Sequence, residues 1–561
     1  MSAPSLSITI AGEAGQGLVT VGDLLIKSLV RSGYFIVVVQ DYMSRVRGGH
    51  NTFSILTGPE PLQSPVERID LLLALNQDGV DLHRSKLAED GLIAGDRKLD
   101  LPDRGALPIP LDELSEGRFS NIALLGVACA ALGLNQEVPA EALDKAFGKK
   151  HPETAQKNAA ALAKAYEWQR GKTPEKLKLP PPYLKAKRLI MNGAEAMALG
   201  AMAGGVKFCA FYPMTPSTTI ALNLAARAQK LGLVVEQAED EIAAVNMALG
   251  ASFAGAPSLV TTSGGGFALM TEGVSLSGMI ETPLVIALVQ RPGPATGLPT
   301  RTEQADLDLA LYSGHGEFPR AILAPGDVEE CFHLSRHAFH LAEKWQGPVF
   351  ILGDQFLADS YRAVEPFNLS ELPPVDPAAA HAAPVTTPYE RYALTDNGVS
   401  PRLLPGFSEH LVVADSDEHT PDGHLTEDLA VRVQMNEKRL RKMAGLQAEA
   451  IPPQFFGDEN PDLLLVCWGS SKGPVWEAAA DLRSRGRKIG ALHFSQVWPL
   501  APDAFLPYLE SAAQVAAVEG NARGQLAGLI RRETGFFIPR LISRCDGLPL
   551  TPDYILRQLA G

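Results

Sequence analysis

The sequence predicts an α/β protein of three domains with mainly parallel sheets. Short, wholly apolar segments, which suit strands buried on both faces, alternate with longer segments of helical periodicity, and this alternation is typical of parallel sheets. Two proline-rich segments, 173–183 and 366–455, interrupt the alternation and indicate linkers. The 561 residues are enough for three or four domains of ordinary size.

Composition and charge indicate a globular protein that binds neither nucleic acids nor membranes. Hydrophobic residues make up 46% of the chain, and the net charge of -14 argues against binding to nucleic acids or anionic lipids. The five cysteines include no Cys-x-x-Cys pair, so we expect neither an iron–sulfur cluster nor a structural zinc in this chain. We find no signal peptide or membrane-spanning segment and expect a cytoplasmic protein.

The first domain is expected over residues 1–180 and begins with a strand at 7–11. The glycine cluster Gly-Glu-Ala-Gly-Gln-Gly at 12–17 and an amphipathic helix at about 18–32 follow. An all-apolar strand at 35–39 completes a strand–helix–strand unit, which predicts a parallel sheet. The other predicted elements are strands at 70–75 and 91–94 and a helix at about 152–169.

The glycine cluster can place the N-terminus of a helix against a phosphate of a nucleotide or of coenzyme A. Its Gly-x-x-Gly-x-Gly spacing differs from the dinucleotide-binding pattern, and a tight turn without a ligand explains it equally well. The segment Arg-Val-Arg-Gly-Gly-His at 45–50 also suits phosphate binding, although a solvated basic loop has the same composition. The candidate phosphate-binding residues are Gly15, Gly17, Arg47, Gly48 and Gly49.

The second domain, expected over 185–365, carries the most informative motif, Phe-Tyr-Pro-Met-Thr-Pro-Ser at 211–217. The motif follows an apolar strand, and the prolines on both sides of Thr215 make its backbone stiff. Such a loop can hold a hydroxyl group still at the end of a strand. The elements predicted in this domain are strands at 206–211, 258–262, 284–289 and 348–352 and helices at 193–203, 217–231, 241–253, 267–278 and 326–344.

Glu241 begins an alanine-rich helix and is the candidate catalytic acid. A desolvated glutamate that bonds the aminopyrimidine ring of thiamine diphosphate can perform the acid–base step that activates this cofactor. Glu236, Glu239 and Asp240 are rival candidates, and acidic residues also favour a helix N-terminus for purely electrostatic reasons. The stiff loop around Thr215 favours the cofactor interpretation, in which the hydroxyl and the carboxylate share one cavity.

Two further loops are expected at the same edge of the sheet. Thr261–Gly266 and Gly293–Arg301 each follow a predicted strand, and ligands of open α/β sheets bind beyond the carboxyl ends of strands. Ser263 and Arg301 are the candidate substrate-binding residues, since an arginine can clamp a carboxylate, although a surface arginine is the simpler explanation. The chain lacks a Gly-Asp-Gly loop followed by an Asn pair, which would bind magnesium and a diphosphate, so we expect only half of a thiamine site.

The third domain is expected over 456–561, after a connector at 366–455 that contains a helix at about 425–449. It opens with a strand at 463–467 and a turn at 469–473.

Together these motifs resemble the α subunit of 2-oxoacid:ferredoxin oxidoreductases, in the form with an N-terminally fused γ domain. The segments that match the γ domain are Gly12–Gly17, Tyr42 and Arg47-Gly48-Gly49, with Ala14 where the family often has Gly. The segments that match the thiamine pyrimidine-type domain are Tyr212–Ser217 and Glu241. The segments that match the transketolase C-terminal-like domain are Cys467–Ser470, His493, Pro499-Leu500, Glu519–Asn521 and Gly524–Leu526.

The resemblance implies a β subunit that carries Mg²⁺, the diphosphate site and a [4Fe-4S] cluster, with thiamine diphosphate at the interface. The enzyme would decarboxylate a 2-oxoacid, pass electrons to ferredoxin and transfer the acyl group to coenzyme A, or run in reverse as a reductive carboxylase. We expect an (αβ)₂ assembly and a γ domain that is associated with coenzyme A. Segment 291–304 most resembles the 2-oxoglutarate branch.

The resemblance also implies roles for single residues. Thr215 would touch the substrate, Glu241 would activate the pyrimidine ring beside Tyr212 and Pro213, and Arg301 would bind the substrate carboxylate.

Two alternatives stay open at this point. One is a family member that acts on pyruvate or a branched-chain 2-oxoacid. The other is a non-catalytic partner protein of the nucleotide-binding Rossmann type, which would explain the glycine cluster alone.

Overall fold

The computed structural model describes residues 5–43, 49–117, 119–149, 152–183, 187–373, 385 and 387–560. The strands are β1 (Leu6–Glu13), β2 (Phe35–Asp41), β3 (His50–Gly58), β4 (Ile69–Ala74), β5 (Leu87–Asp96), β6 (Ala106–Ile109), β7 (Leu189–Met191), β8 (Phe208–Phe211), β9 (Val234–Gln237), β10 (Ser258–Thr262), β11 (Leu284–Gln290), β12 (Ala321–Leu323), β13 (Pro348–Asp354), β14 (Arg362–Val364), β15 (Gln454–Gly457), β16 (Leu463–Trp468), β17 (Ile489–Phe494), β18 (Gln496–Trp498), β19 (Val515–Glu519) and β20 (Arg540–Ser543).

The helices are α1 (Leu18–Arg31), α2 (Gln77–His83), α3 (Leu111–Ser115), α4 (Ser120–Ala131), α5 (Glu137–Leu143), α6 (Pro152–Gln169), α7 (Gly193–Ala203), α8 (Thr218–Ala225), α9 (Ala228–Leu231), α10 (Glu241–Phe253), α11 (Gly264–Phe267), α12 (Thr271–Met279), α13 (Leu307–Tyr312), α14 (Val328–Trp345), α15 (Gln355–Asp359), α16 (Leu429–Ala448), α17 (Lys472–Ser484), α18 (Leu506–Ser511), α19 (Gln525–Thr534) and α20 (Pro552–Ala560). None of the described helices is both long and apolar enough to cross a membrane.

The chain forms two units. The first comprises residues 1–191, 360–368 and 551–553, and the second comprises 192–359, 369–550 and 554–561. The domain boundaries given above stay a prediction.

The first unit contains a mixed sheet of eight strands in the order β6-β5-β4-β1-β3-β2-β14-β7. The strand–helix–strand prediction was right about β1, α1 and β2 but wrong about their pairing. β3 lies between β1 and β2 and pairs antiparallel with both. β3 is not evident from the sequence because it starts with the polar residues His50, Asn51 and Thr52. Parallel pairing begins on the other side of β1, from β4 to β6.

The second unit contains two sheets, in which most strand pairs are parallel. The larger has the order β18-β12-β13-β11-β10-β8-β9, with only the edge strand β18 antiparallel. The smaller has the order β15-β17-β16-β19-β20, with β15 antiparallel. The α/β fold class is therefore confirmed. The strands β10, β11 and β13 are buried along their whole length. The mostly apolar sequences of β11 and β13 predict this burial, whereas β10 also buries Ser258, Thr261 and Thr262. The helix predicted at 217–231 is two helices, α8 and α9.

The predicted connector contains α16 and packs through a buried ion cluster. The carboxylate of Glu281 accepts a hydrogen bond from Lys438 at 2.6 Å and pairs with Lys442, and these three side chains are almost fully buried. Arg391, also buried, donates to the backbone oxygen of Glu281 at 2.7 Å. The cluster therefore ties α16 and the preceding loop to the turn that follows α12.

Candidate active site

Three loops meet at one edge of the larger sheet in the second unit. β8, β10 and β11 are adjacent and parallel, so their carboxyl ends lie at the same edge. The loops that start at Tyr212, Ser263 and Arg291 leave these three ends. The backbone N–H of Ala238 donates to the oxygen of Phe211 at 2.9 Å, which brings the segment before α10 to the same place. This is where open α/β sheets bind ligands.

Glu241 is the buried acid of this edge. Glu241 is the first residue of α10 and is 4% exposed. Among the described residues, its Oε1 has no hydrogen-bond partner. Asp240 instead caps the helix by accepting from the N–H of Ala243 at 2.7 Å, and Glu236 and Glu239 are exposed. Of the four acidic candidates, only Glu241 has a carboxylate held away from water and available to a ligand.

A run of three glycines lies against this carboxylate. A Cβ atom at Gly266 would lie 2.4 Å from Oε1 of Glu241 and 2.5 Å from Oγ1 of Thr262, so no larger residue fits without displacing them. Ser263, just before the glycines, is fully buried, and its Oγ has no partner among the described residues. Two buried polar atoms without partners therefore occur at this edge, one beside Gly266 and one on the residue that precedes the glycines, as expected of a polar ligand site.

The loop around Thr215 is held by a cation that sequence reasoning missed. Nη1 of Arg291 donates to the backbone oxygen of Thr215 at 2.6 Å. Ser217 donates through its Oγ to the oxygen of Met214 at 2.8 Å, while the Thr215 side chain is exposed. Arg291 is the first residue after β11, and a position directly after a buried strand could have identified it. Tyr212, 40% exposed, lies in the same loop.

The loop that follows β11 is anchored at Gln304 by the smaller sheet. Its backbone N–H donates to the oxygen of Gly520 at 2.7 Å, and its Oε1 accepts from the N–H of Gly520 at 2.8 Å and from Ser471 at 2.7 Å. Arg301 lies in this loop, is half-buried, and packs beside Gly547, where a Cβ atom would lie 3.1 Å from the Cβ of Arg301. The motifs after β16 and β19 thus fix the loop that carries Arg301.

Asp306, at the end of this loop, is a second acid with a buried carboxylate oxygen, and it was not predicted from the sequence. Its backbone N–H donates to Oε1 of Gln290 at 2.9 Å, and its Oδ2 has no partner among the described residues. A Cβ atom at Gly264 would lie 2.5 Å from that Oδ2. Burial and the nearby Glu303 raise the pKa of Asp306 to about 6, and the positive charge of Arg291 opposes this shift. Glu241 and Asp306 therefore lie against opposite ends of the glycine run.

The glycine cluster of the first unit forms a tight turn before α1. Gly15 and Gly17 have φ angles of 96° and 79°, in the left-handed region that favours glycine. The backbone N–H of Glu13 donates to Oε1 of Gln16 at 2.8 Å and closes the turn. At Gly17 a Cβ atom would lie 2.3 Å from Nδ2 of Asn121, so close packing requires a glycine here whether or not a ligand binds.

The second phosphate-binding candidate is only partly covered by the structure. Arg47 and Gly48 lie outside the described residues, and Gly49 has a φ angle of 84°. The link of these residues to coenzyme A stays a prediction. Within the described ranges, no group of three or more His, Cys, Asp or Glu side chains could hold a metal ion.

Comparisons with known proteins agree with this geometry. The family model described as pyruvate flavodoxin/ferredoxin oxidoreductase, thiamine diphosphate-binding, matches residues 199–438, and the model described as pyruvate ferredoxin/flavodoxin oxidoreductase matches residues 7–168. The α subunit of a 2-oxoacid:ferredoxin oxidoreductase from Sulfolobus is 30% identical over 99% of this chain and 96% of its own length. The 2-oxoglutarate oxidoreductase subunit KorA of Mycobacterium tuberculosis is 30% identical over 93% of this chain and 86% of its own length.

A solved structure is similar over the same length. The 2-oxoglutarate:ferredoxin oxidoreductase from Magnetococcus marinus, with 2-oxoglutarate, coenzyme A and succinyl-CoA bound, superposes with a TM-score of 0.93 at 30% identity, covering 99% of both chains. Similarity of this extent, in sequence and in fold, establishes the family. This chain belongs to the 2-oxoacid:ferredoxin oxidoreductases and is an α subunit of that enzyme family.

Proposed function

We propose that this chain, together with a β subunit, interconverts 2-oxoglutarate and coenzyme A with succinyl-CoA and CO₂, and that ferredoxin carries the electrons. The names of the similar KorA subunits and the ligands of the Magnetococcus enzyme support this choice of substrate. Two arginines on one loop also suit a dicarboxylate. Arg291 lies beside Thr215, and Arg301 lies farther along the loop.

The observation that carries the proposal is the buried, unpartnered carboxylate of Glu241. Thiamine diphosphate, when bound, supplies the acidic carbon that attacks the carbonyl group of a 2-oxoacid. Glu241 would hydrogen-bond the pyrimidine ring nitrogen and exchange a proton with it. Burial favours this proton exchange because water does not compete for the carboxylate. Tyr212 and Pro213 would contact the ring. Because Gly266 has no side chain, it leaves the space that the Glu241 carboxylate occupies.

The substrate would lie between the three loops. Ser263 and Thr215 would bind its carbonyl group and the adjoining carboxylate through their hydroxyl groups, with Arg291 beside Thr215. Arg301, expected from the resemblance to bind the substrate carboxylate, would in a dicarboxylate such as 2-oxoglutarate bind the second of the two carboxylates. The β subunit would contribute Mg²⁺, the diphosphate site and the [4Fe-4S] cluster, in an (αβ)₂ assembly. Gly15, Gly17, Arg47, Gly48 and Gly49 would form the part of the γ domain that binds coenzyme A.

Substitution of Glu241 by Gln tests this assignment in the complex co-purified with its β subunit. Glutamine keeps the size of the side chain but cannot exchange the proton, so we expect at least about a 100-fold loss of 2-oxoglutarate-dependent ferredoxin reduction. Glu239→Gln is the matched control, because Glu239 is two residues away, acidic and exposed. Full activity of Glu241→Gln would show that the carboxylate has no catalytic role.

A pyruvate-specific enzyme is the second candidate, since both matching family models bear the name pyruvate oxidoreductase. Steady-state rates with 2-oxoglutarate and pyruvate on the same preparation separate the two. A preference for pyruvate, or a failure of glutarate to compete with the substrate, would overturn the choice of 2-oxoglutarate.

A further inference from the structure

Asp306 is an acid for which the proposed chemistry has no use, although it lies at the same edge of the sheet as Glu241. Two segments adjoin this residue. The Ser263–Gly266 segment approaches its Oδ2 through Gly264, and Gln290, at the end of β11, accepts from its backbone N–H. Its Oδ2 is buried, lies close to Gly264 and lacks a hydrogen-bond partner within the described part of the chain. A carboxylate oxygen that is buried without a donor makes the charged form costly, so the surroundings of Asp306 favour protonation.

The charged groups around Asp306 are few. Glu303, on the same loop, repels its negative charge, and Arg291, at the end of β11, attracts it. The Ser263–Gly266 segment carries no ionisable side chain. Arg291 forms no ion pair with Asp306 in the described structure and instead donates to the backbone oxygen of Thr215. Its remaining N–H groups are therefore available to a carboxylate from outside the chain.

We infer that Asp306 takes up a proton when the carboxylate of a 2-oxoacid binds beside Arg291, so that the charge of Asp306 controls substrate affinity. This inference rests on the proposed function. Two carboxylates near one guanidinium in a half-buried site repel each other. The state in which one of them is protonated, and therefore neutral, has the lower free energy. The substrate carboxylate is the stronger acid, because the adjoining carbonyl group withdraws electrons from it, and it stays ionised. The proton comes from solvent as the substrate binds and returns when the substrate carboxylate leaves as CO₂.

The pKa of Asp306, about 6 before the substrate binds, fixes the sign of the expected effect. Below about pH 6 the side chain is already neutral, and KM for the 2-oxoacid should not depend on pH. Above this pH the proton must be acquired on binding, so KM should rise by up to about tenfold per pH unit until the pKa of the substrate-bound state is reached. By linkage, the free energy by which ionised Asp306 weakens substrate binding equals the free energy by which the bound substrate raises the pKa of Asp306.

Asp306→Asn tests the inference, because asparagine has nearly the same shape and is always neutral. In the αβ complex we expect KM for 2-oxoglutarate to become independent of pH and, at about pH 8, to fall at least several-fold below the wild-type value. A residue that only supports the structure would give the opposite result, a higher KM with the wild-type pH slope, and that result would overturn the inference. Asp308→Asn, two residues along on α13 and exposed, should keep the wild-type slope.

A double substitution shows whether the effect passes through Arg291. If Asp306 acts on the substrate together with Arg291, the effects of Asp306→Asn and Arg291→Lys on KM should not be additive. Additive effects would contradict the coupling. Binding of thiamine diphosphate to the complex, measured by calorimetry, should be the same for Asp306→Asn and the wild type.

Calorimetry on the unmodified complex keeps the inference testable if Asp306→Asn does not fold. Binding of 2-oxoglutarate to the complex without thiamine diphosphate should take up a fraction of a proton at about pH 7 and none at about pH 5, seen as heats that depend on the buffer. Heats that are independent of the buffer at both pH values would overturn the inference alone. A complex that neither binds nor converts 2-oxoglutarate would overturn the proposed function as well.

Discussion

Gly266 and Glu241 are in direct contact: a single carbon added to the glycine would lie 2.4 Å from the carboxylate oxygen. The small size of residue 266 thus decides where the buried acid can sit. The contact joins α11, the short helix that follows β10, to the start of α10, so residues that are far apart in the sequence meet here. It is the most direct structural support for a preorganised acid in this enzyme.

Gly266→Ala should therefore disable the site without removing any functional group. The new methyl group must push the Glu241 carboxylate or the Thr262 hydroxyl away, and a displacement of about 1 Å can cost about 100-fold in rate. Gly265→Ala is the matched control, because a Cβ atom there meets only the oxygen of Ala295, at an ordinary 3.5 Å. The measurement is kcat for 2-oxoacid-dependent ferredoxin reduction. Equal rates for the two variants would show that the contact does not position the acid.

Arg47→Ala should separate the binding of coenzyme A from that of the 2-oxoacid. If segment 45–50 binds a phosphate of coenzyme A, losing one cation should raise KM for coenzyme A about tenfold or more, since charge-assisted contacts are among the strongest hydrogen bonds. KM for the 2-oxoacid should not change. Arg31→Ala, an exposed arginine at the end of α1, is the control. An unchanged KM for coenzyme A would leave the segment without a role in coenzyme A binding.

Hydrophobic sequence patterns predict the strands that are buried within the sheets. β11 is predicted because six of its seven residues are apolar, which suits a strand buried on both faces. β9, an exposed edge strand, gave no such pattern and was missed. Glu241 was identified because a stiff, specific loop occurs nearby in the sequence.

The partners of the site residues could not be predicted in the same way. Arg291 follows Thr215 by 76 residues, and only the pairing of parallel strands brings the two together. Asp306 lies close to Gly264, which is distant in the sequence, so no local spacing could predict this contact. Sequence spacing identifies side chains that can do chemistry, whereas the folded sheet decides which of them share a cavity.

Glu281→Gln should lower the free energy of unfolding of the second unit by more than the loss of an exposed ion pair does. Removing the charge leaves Lys438 and Lys442 buried without a counter-ion, and breaking a buried pair in this way typically costs about 3–5 kcal/mol. Glu449→Gln is the control, because Glu449 pairs with the half-exposed Lys344 in the same unit and should contribute less than about 1 kcal/mol. Thermal and urea unfolding of the chain measure both effects. Similar midpoints for the two variants would mean that the cluster does not fasten α16.

Acid should destabilise the first unit through a pair of histidines. Nε2 of His50 and Nε2 of His83 lie 2.7 Å apart, and burial, together with the neighbouring His50 and Lys86, lowers the pKa of His83 to about 4. In the unfolded chain this histidine has the ordinary pKa near 6.5, so it binds a proton at pH values at which it stays neutral in the folded chain. Stability is therefore complete above about pH 6.5 and decreases as the pH falls towards 4.

His83→Gln should remove most of this acid sensitivity, because glutamine can keep one hydrogen bond and carries no titrating proton. The check is the thermal midpoint at about pH 7 and about pH 5, compared between the variant and the wild type. His424→Gln, at an exposed histidine, should leave the wild-type difference intact. If the His83 variant loses as much stability in acid as the wild type does, the histidine pair is not the group that resists protonation, and buried carboxylates must account for the loss.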